Sequence, residues 1–99
     1  MSHLVHGTAT TLAISKTATK LKATGKVTPR RGGHHVVVTL ARKSSGSFHV
    51  LATHKPTLTS TSTYATSFAR PHPGTCRLVT RYPGDATHLA SMRTRVFAC

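Results

Sequence analysis

The sequence predicts an all-β domain built as a Greek-key sandwich of about seven strands. Short runs of alternating apolar and polar residues are separated by turn signals at roughly ten-residue spacing, which is typical of a sandwich or barrel. Thr occurs 18 times, and β-branched side chains favour extended chain over helix. No segment carries a sustained i, i+3, i+4 apolar pattern, so no helix is expected. Low hydrophobicity and high charge also fit a disordered chain, but the alternating runs are too regular for that alternative.

The predicted strands are residues 11–15, 21–28, 34–43, 48–54, 58–69, 75–82 and 91–99. The third run is apolar on both faces and is therefore expected at the centre of a sheet. In the fourth run Phe48, Val50 and Ala52 are expected to share a face. In the fifth run Tyr64 and Phe68 are expected to do the same.

One domain is expected from this length. Residues 1–9 are predicted to be a flexible N-terminal segment and residues 10–99 a single sandwich domain. With 99 residues and 37% hydrophobic content, the chain buries a modest core that is marginally stable without further help. The sequence shows neither a transmembrane segment nor a signal peptide, so an export signal is expected to lie outside this chain.

Two cysteines could provide the additional stability that such a small core requires. If the hairpin of the last two strands centres on the loop 83–90, Cys76 lies opposite Cys99 and Leu78 lies opposite Phe97. Only some cross-strand positions reach disulfide geometry, so this register favours a Cys76–Cys99 disulfide without proving it. Two free thiols are the alternative. A disulfide indicates an oxidising compartment.

The charge balance is extreme, because 14 Lys and Arg stand against a single acid, Asp85, giving a net charge of +13. Such a surface attracts polyanions such as nucleic acid, anionic wall polymers or lipid head groups, and charge alone does not choose among them. The candidate contact residues are Lys20, Lys22, Lys26, Arg30, Arg31, Arg77, Arg81, Arg93 and Arg95. In the predicted hairpin register the two arginines of each strand share a face, and the two pairs face opposite sides.

Nucleic-acid binding by these residues would be led by phosphate contacts. Aromatic side chains for base stacking are nearly absent from the terminal hairpin, apart from Tyr82 and Phe97. Binding is therefore expected to be sequence-independent and sensitive to salt. A solvated basic surface without a ligand is the simpler interpretation of the same residues.

The sequence offers no catalytic or metal-binding constellation. A single carboxylate excludes catalysis by paired carboxylates, and Asp85 within Pro-Gly-Asp is typical of a turn. Neither a GxSxG elbow nor a phosphate-binding glycine loop is present. The eight His residues lack metal-ligand spacing, and the adjacent His34 and His35 face opposite sides of a strand. We therefore predict a protein that is not an enzyme and has no cofactor and no metal.

Five stretches resemble the bacterial immunoglobulin-like repeat domains of secreted and surface proteins, especially those of actinobacteria. They are residues 21–29 (LKATGKVTP), 36–43 (VVVTLARK), 48–53 (FHVLAT), 61–68 (TSTYATSF) and 74–91 (GTCRLVTRYPGDATHLAS). In order and spacing they are similar to that family's strands B, C, C′, E and F–G, and the resemblance covers about residues 10–99. The departures are Phe48, where the family often has Trp, and the strong positive charge.

This resemblance implies an immunoglobulin-like Greek-key sandwich that serves as a spacer, adhesion or carbohydrate-binding module and contributes no catalytic residues. Together with the composition, it predicts an extracellular or cell-surface module of a larger multidomain protein. Its basic surface is expected to contact anionic cell-wall or extracellular polymers. The alternative is a small basic nucleic-acid-binding protein inside the cell, with sequence-independent phosphate contacts.

Overall fold

A computed structural model describes residues 7–28, 33–85 and 88–99, and these residues form eight β-strands and no helix. The all-β prediction is confirmed. Of the segment 1–9 that was predicted to be flexible, residues 1–6 lie outside the described residues and Ala9 belongs to the first strand. In chain order the strands are β1 (Ala9–Thr10), β2 (Ala13–Lys16), β3 (Lys20–Thr28), β4 (Val37–Ser44), β5 (Ser47–His54), β6 (Thr63–Ala69), β7 (Thr75–Tyr82) and β8 (Ser91–Ala98).

One sheet contains β1, β2, β3 and β6. In this sheet β1, β2 and β6 each pair with β3 and run antiparallel to it. β1 and β2 follow one continuous register along β3, with Ala9 opposite Thr28 and Ala13 opposite Thr24. They are therefore two parts of a single edge strand that is interrupted at Thr11 and Leu12. β6 pairs with the opposite edge of β3, so β3 is the central strand of this sheet.

The other sheet has the order β5-β4-β7-β8, and all neighbouring strands are antiparallel. The prediction of a central third strand is confirmed, because β4 lies between β5 and β7. Val38 and Leu40 of β4 are buried between the sheets, whereas Val37 and Thr39 on the outer face are half-buried. β5 and β8 form the two edges of this sheet.

A β-bulge in β5 overturns one predicted face. Leu40 pairs with Ala52, but the following residue of β4 pairs with Val50, so Leu51 is an extra residue in β5. The bulge turns Ala52 toward the core, where it packs against the buried cluster, and leaves Val50 facing outward. The prediction that Ala52 shares a face with Phe48 and Val50 is therefore wrong for Ala52.

The core lies between the two sheets, and both contribute to one cluster, which makes the fold a two-layer β-sandwich. Three connections cross between the layers, from β3 to β4, from β5 to β6 and from β6 to β7. As predicted, Tyr64 and Phe68 share the inner face of β6. The cluster consists of Leu12, Leu21, Ala23, Val27, Val36, Val38, Leu40, Leu58, Tyr64, Phe68, Cys76, Leu78, Tyr82 and Cys99.

The predicted strand 58–69 is shorter in the structure, where β6 begins at Thr63. Before it lies a turn in which the Ser62 amide donates to the Thr59 carbonyl oxygen at 2.8 Å. Ser62 adopts a positive φ of 63°, and its hydroxyl donates to the Val27 carbonyl oxygen at 2.7 Å. That bond ties the turn to β3. Thr and Ser are common in both turns and strands, so the sequence of this run does not show where the turn ends and the strand begins.

The predicted disulfide is present. Cys76 and Cys99 are bonded with their Cα atoms 5.6 Å apart, which is a usual separation for a disulfide. The predicted hairpin register, however, is wrong by two residues, because Cys76 pairs with Phe97 and Leu78 pairs with Arg95. The bridge therefore joins diagonal positions of the hairpin rather than directly opposite ones.

The observed register is the one that is symmetric about the hairpin loop, so the predicted partners in β8 were counted two residues too far along the chain. Pairing across the loop 83–90 joins Tyr82 to Ser91, and counting back from this pair gives every observed partner of β7. Cys99 follows the last residue of β8 and donates its amide hydrogen to the Gly74 carbonyl oxygen at 2.9 Å. This bond holds the end of the chain beside the start of β7, within reach of the other cysteine.

The interruption of the edge strand is organised by a junction around Tyr64. The Tyr64 hydroxyl donates to the Thr11 carbonyl oxygen at 2.6 Å and lies 2.9 Å from Thr80 Oγ1 on the other sheet. Thr11 Oγ1 accepts a hydrogen bond from the Lys26 amide at 2.9 Å, so a side chain replaces a ladder bond of the backbone. Gly25 lies against this junction without room for a β-carbon, which would stand 2.1 Å from the Thr11 carbonyl oxygen.

The Tyr64 junction predicts a dependence of stability on alkaline pH. Burial raises the pKa of the Tyr64 phenol above its usual value of about 10, and the hydrogen bond with Thr80 offsets part of that rise. A phenol whose pKa is raised by folding contributes stability that is complete below about pH 10 and is lost as the pH rises through the folded-state pKa. We expect Tyr64→Phe to cost about 1 kcal/mol near neutral pH, and we expect this cost to shrink above pH 10. Urea unfolding of both proteins across this range measures the difference, and a cost that is independent of pH would contradict the prediction.

Candidate polyanion-binding surfaces

The only acidic side chain in the sequence is engaged within the fold. Asp85 accepts a hydrogen bond from the Tyr82 hydroxyl, and its second carboxylate oxygen lies 3.0 Å from His88 Nδ1. The Asp85 amide also donates to the His88 carbonyl oxygen at 2.9 Å. The 14 Lys and Arg side chains thus share at most this one carboxylate. Nearly all of their charge is left for external anions.

Three of the predicted residues lie together on one flat surface, which we call the lysine face: Lys20, Lys22 and Lys26. They are exposed and occupy the outer face of β3, while Leu21 and Ala23 between them are buried in the core. Along β3, Lys20 and Lys22 are about 7 Å apart and Lys22 and Lys26 about 13 Å apart, so the three side chains form a row on one face. Their cross-strand partners and those of Thr24 are small, namely Ala13, Ser15, Thr63, Ala65, Ser67 and Ala69. The row is therefore accessible from above.

Arg77 and Arg81 lie on the outer face of the other sheet. The Arg77 guanidinium is stacked over the Phe48 ring, with its central carbon 4.5 Å from the ring centroid. This is a cation–π contact, in which the positive charge is attracted to the face of the ring. Arg77 Nε is buried without a hydrogen-bond partner among the described residues. Val50 and Val96, in the same cross-strand row, are 63% and 59% exposed. This face is more apolar than the lysine face.

An open space runs along the side of the sandwich, between β8 and the edge strand made of β1 and β2. At one end Thr10 Oγ1 lies 2.7 Å from Ser91 Oγ, and at the other end Lys16 Nζ donates to the Ala98 carbonyl oxygen at 2.8 Å. Between these contacts are two adjoining hollows of about 350 and 370 Å³ that share Arg95 in their lining. We call this space the lateral slot.

Arg93 and Arg95 line the lateral slot because they occupy inward-facing positions of an edge strand. Arg95 is paired with Leu78, which is buried, so both side chains point to the inner side of the sheet. β8 is the last strand of its sheet, and both arginines are exposed rather than covered. Phe97 and Ile14 are half-buried in the same wall and pack against the core. The slot thus combines two cations with an apolar floor.

The structure does not bring the nine predicted contact residues onto one surface. Arg30 and Arg31 lie outside the described residues. The other seven divide among the lysine face, the outer face of the second sheet and the lateral slot. The prediction that the two arginine pairs of the terminal hairpin face opposite sides is confirmed, because a register error of two residues leaves every side chain on the same face.

No protein-family model, curated protein or solved structure matches this chain. Within residues 7–28, 33–85 and 88–99, no three His, Cys, Asp or Glu side chains converge on a point where a metal could sit. The same part of the chain contains no helix that could span a membrane.

The lateral slot and the contribution of Lys16 to its closure were not predicted from the sequence. A signal was present in β8, where Arg93 and Arg95 occupy the parity that β7 fills with Leu78 and Thr80. Charged residues at inward positions are typical of edge strands. The pattern could therefore have indicated that β8 is an edge. The strand that faces it across the slot could not be read from this pattern.

Proposed function

We propose that this protein is a non-catalytic immunoglobulin-like module that acts as a spacer or adhesion domain and contacts anionic polymers through its lysine face. The observation that carries the proposal is the row formed by Lys20, Lys22 and Lys26, exposed on one strand and flanked by small neutral residues. Ammonium groups act as point charges toward phosphate or carboxylate. A flexible polymer with repeated anions satisfies such a row without a shaped pocket.

Two further features support the immunoglobulin-like and extracellular parts of the proposal. If β1 and β2 count as one strand, the layers hold three and four strands and the chain crosses between them three times, as in Greek-key sandwiches. The Cys76–Cys99 disulfide persists in oxidising compartments such as the cell exterior. A module of this kind is expected to work beside other domains of a larger secreted or surface protein.

The lysine face is tested by removing two of its charges. We expect Lys22→Gln/Lys26→Gln to weaken binding of poly(glycerol phosphate) about ten-fold at low salt. We also expect it to reduce the slope of log K against log salt by about 1.4, the value for two lost contacts with a single-stranded polyanion. Isothermal titration calorimetry at several salt concentrations measures both quantities.

The matched control is Lys43→Gln/Lys55→Gln, which removes the same charge from two exposed residues outside the lysine face. Equal losses in both double variants would show that binding follows net charge alone and would reject the lysine face. A single-stranded DNA of equal charge forms the second arm. DNA affinity that exceeds polymer affinity and survives at about 150 mM salt would favour the nucleic-acid alternative.

A further inference from the structure

We propose that the lateral slot binds an extended acidic segment of another protein, which joins the sheet as an additional strand beside β8. This inference is independent of the lysine face, which lies on the outer surface of the opposite layer. It assigns a ligand to Arg93 and Arg95, two cations that the proposed polymer contact does not use. Three properties of the slot lead to it: an unpaired strand edge, the spacing of its charges and its limited length.

The first property is the unpaired backbone of β8. Its only described strand partner is β7, which covers one edge along all eight residues. The stretch from Met92 to Val96 is exposed. An extended peptide that adds to such an edge gains main-chain hydrogen bonds, while its alternate side chains provide specificity. Every second side chain of an added strand would point into the slot.

The second property is the position of the two charges. Arg93 and Arg95 are two residues apart on the same face of β8 and therefore about 7 Å apart along the strand. Carboxylates at positions i and i+2 of a paired strand have the same spacing, so each meets one arginine. Neither guanidinium has a carboxylate partner within the described residues. Carboxylate–guanidinium pairs are among the strongest hydrogen-bonded contacts in proteins.

The third property is the closure of the slot at both ends. The contacts Thr10–Ser91 and Lys16–Ala98 leave six residues of β8 between them, or about 20 Å of strand. This length accepts six residues of an extended peptide, and a seventh, terminal residue would extend past one of the end contacts. Beyond the two arginines Phe97 provides an apolar position on the same face. A peptide that fits the slot therefore has an apolar residue two positions from an acidic residue, on the same face of the strand.

A second copy of this chain does not fit the slot. Edge-to-edge pairing of two copies would bring four arginines together on molecules that each carry a net charge of +13. The single acid that could relieve this repulsion, Asp85, is held by Tyr82 and His88. Inward-facing charges on edge strands protect against self-association. The same two arginines therefore repel a copy and attract an acidic strand.

The test uses the acetylated and amidated peptide VTETETV with the 99-residue chain. This sequence reads identically in both directions, so either strand orientation places two Glu opposite the arginines and a Val opposite Phe97. Its control, VTEETTV, has the same composition and charge but places its two Glu on opposite faces. We expect VTETETV to bind at least about ten-fold more tightly than VTEETTV at low salt, since only the first peptide makes two charge-assisted pairs.

Two variants locate the binding site. Arg93→Gln/Arg95→Gln should weaken binding of VTETETV at least about ten-fold, whereas the charge-matched Lys43→Gln/Lys55→Gln should change it less than about two-fold. Hydrogen exchange should show slower exchange of β8 amides on binding. Because the arginine variant could self-associate, a second measurement uses wild-type protein and VTETETV that is N-methylated at all of its Thr and Glu amides. These amides lie on both edges of a strand, so the methylated peptide should lose binding in either orientation.

Several results would overturn the proposal. Equal affinity for VTETETV and VTEETTV, or equal losses of affinity in the arginine and lysine double variants, would show that binding depends on net charge alone. Binding that tolerates methylation of both edges, or that leaves β8 exchange unchanged, would exclude strand addition. If removing the arginines causes self-association without altering peptide affinity, their role is edge protection alone. Because the lysine-face test uses other residues and another probe, failure here leaves that proposal intact.

Discussion

Replacing Gly25 with alanine is expected to lower the free energy of unfolding by at least about 3 kcal/mol. The added β-carbon would stand 2.1 Å from the Thr11 carbonyl oxygen and 2.8 Å from the Tyr64 hydroxyl. Neither atom can move freely, because the two are hydrogen-bonded to each other at 2.6 Å. The substitution must therefore push the interrupted edge strand away from β3 or break the Tyr64 junction.

The measurement is a thermal or urea unfolding curve of Gly25→Ala beside the wild type. A loss of 3 kcal/mol corresponds to a melting temperature lower by about 15 °C in a domain of this size. Gly7→Ala is the matched control, since a β-carbon at Gly7 would have no atom within 4 Å, and it should shift stability by less than about 0.5 kcal/mol. If the two alanine variants unfold alike, close packing at Gly25 does not hold the edge strand in place.

Removal of the disulfide is the other change with a large expected effect. Cys76 and Cys99 are 23 residues apart in sequence, and closing a loop of that length stabilises the fold by about 3 kcal/mol through the entropy of the unfolded chain. Both cysteines are also part of the buried core, so Cys76→Ala/Cys99→Ala loses packing as well. We expect the double variant to melt at least about 15 °C below the wild type.

Reductant provides the internal control for this prediction. The wild type should lose most of the same stability once mass spectrometry shows that its disulfide is reduced. The double variant should be indifferent to reductant. If the reduced wild type melts at the same temperature as the oxidised protein, the hairpin is held by its backbone pairing and core contacts alone.

Much of the fold could be predicted because alternation is a local property of a strand. The run from Thr75 to Tyr82 alternates between polar and apolar residues apart from Val79 and Thr80, and β7 has those bounds in the structure. The bulge at Leu51 could not be predicted in the same way. One extra residue reverses the faces that follow it, and the flanking side chains are compatible with either parity. The bulge is decided by pairing with β4, which a single strand's sequence does not encode.

The candidate sites also differ in whether they depend on one strand or on the packing of several. The exposed row of the lysine face follows from alternation within β3, so Lys20, Lys22 and Lys26 could be named from the sequence. The lateral slot depends on which strands become edges and on how far two edges separate. Lys16 and Ala98 are distant in sequence but meet at one end of the slot. Contacts of this range follow from packing of the two layers rather than from any local pattern.

The disulfide also determines how this protein would carry a mechanical load. Tension applied at Cys99 passes through the sulfur bridge to Cys76 and enters β7, which is supported by strands on both edges. The segment between the two cysteines spans a separation of 23 residues and could otherwise extend by about 80 Å. While the bridge is intact this length cannot be stretched. β8 would then keep its shape under a pull that could peel an unbridged terminal strand from the sheet.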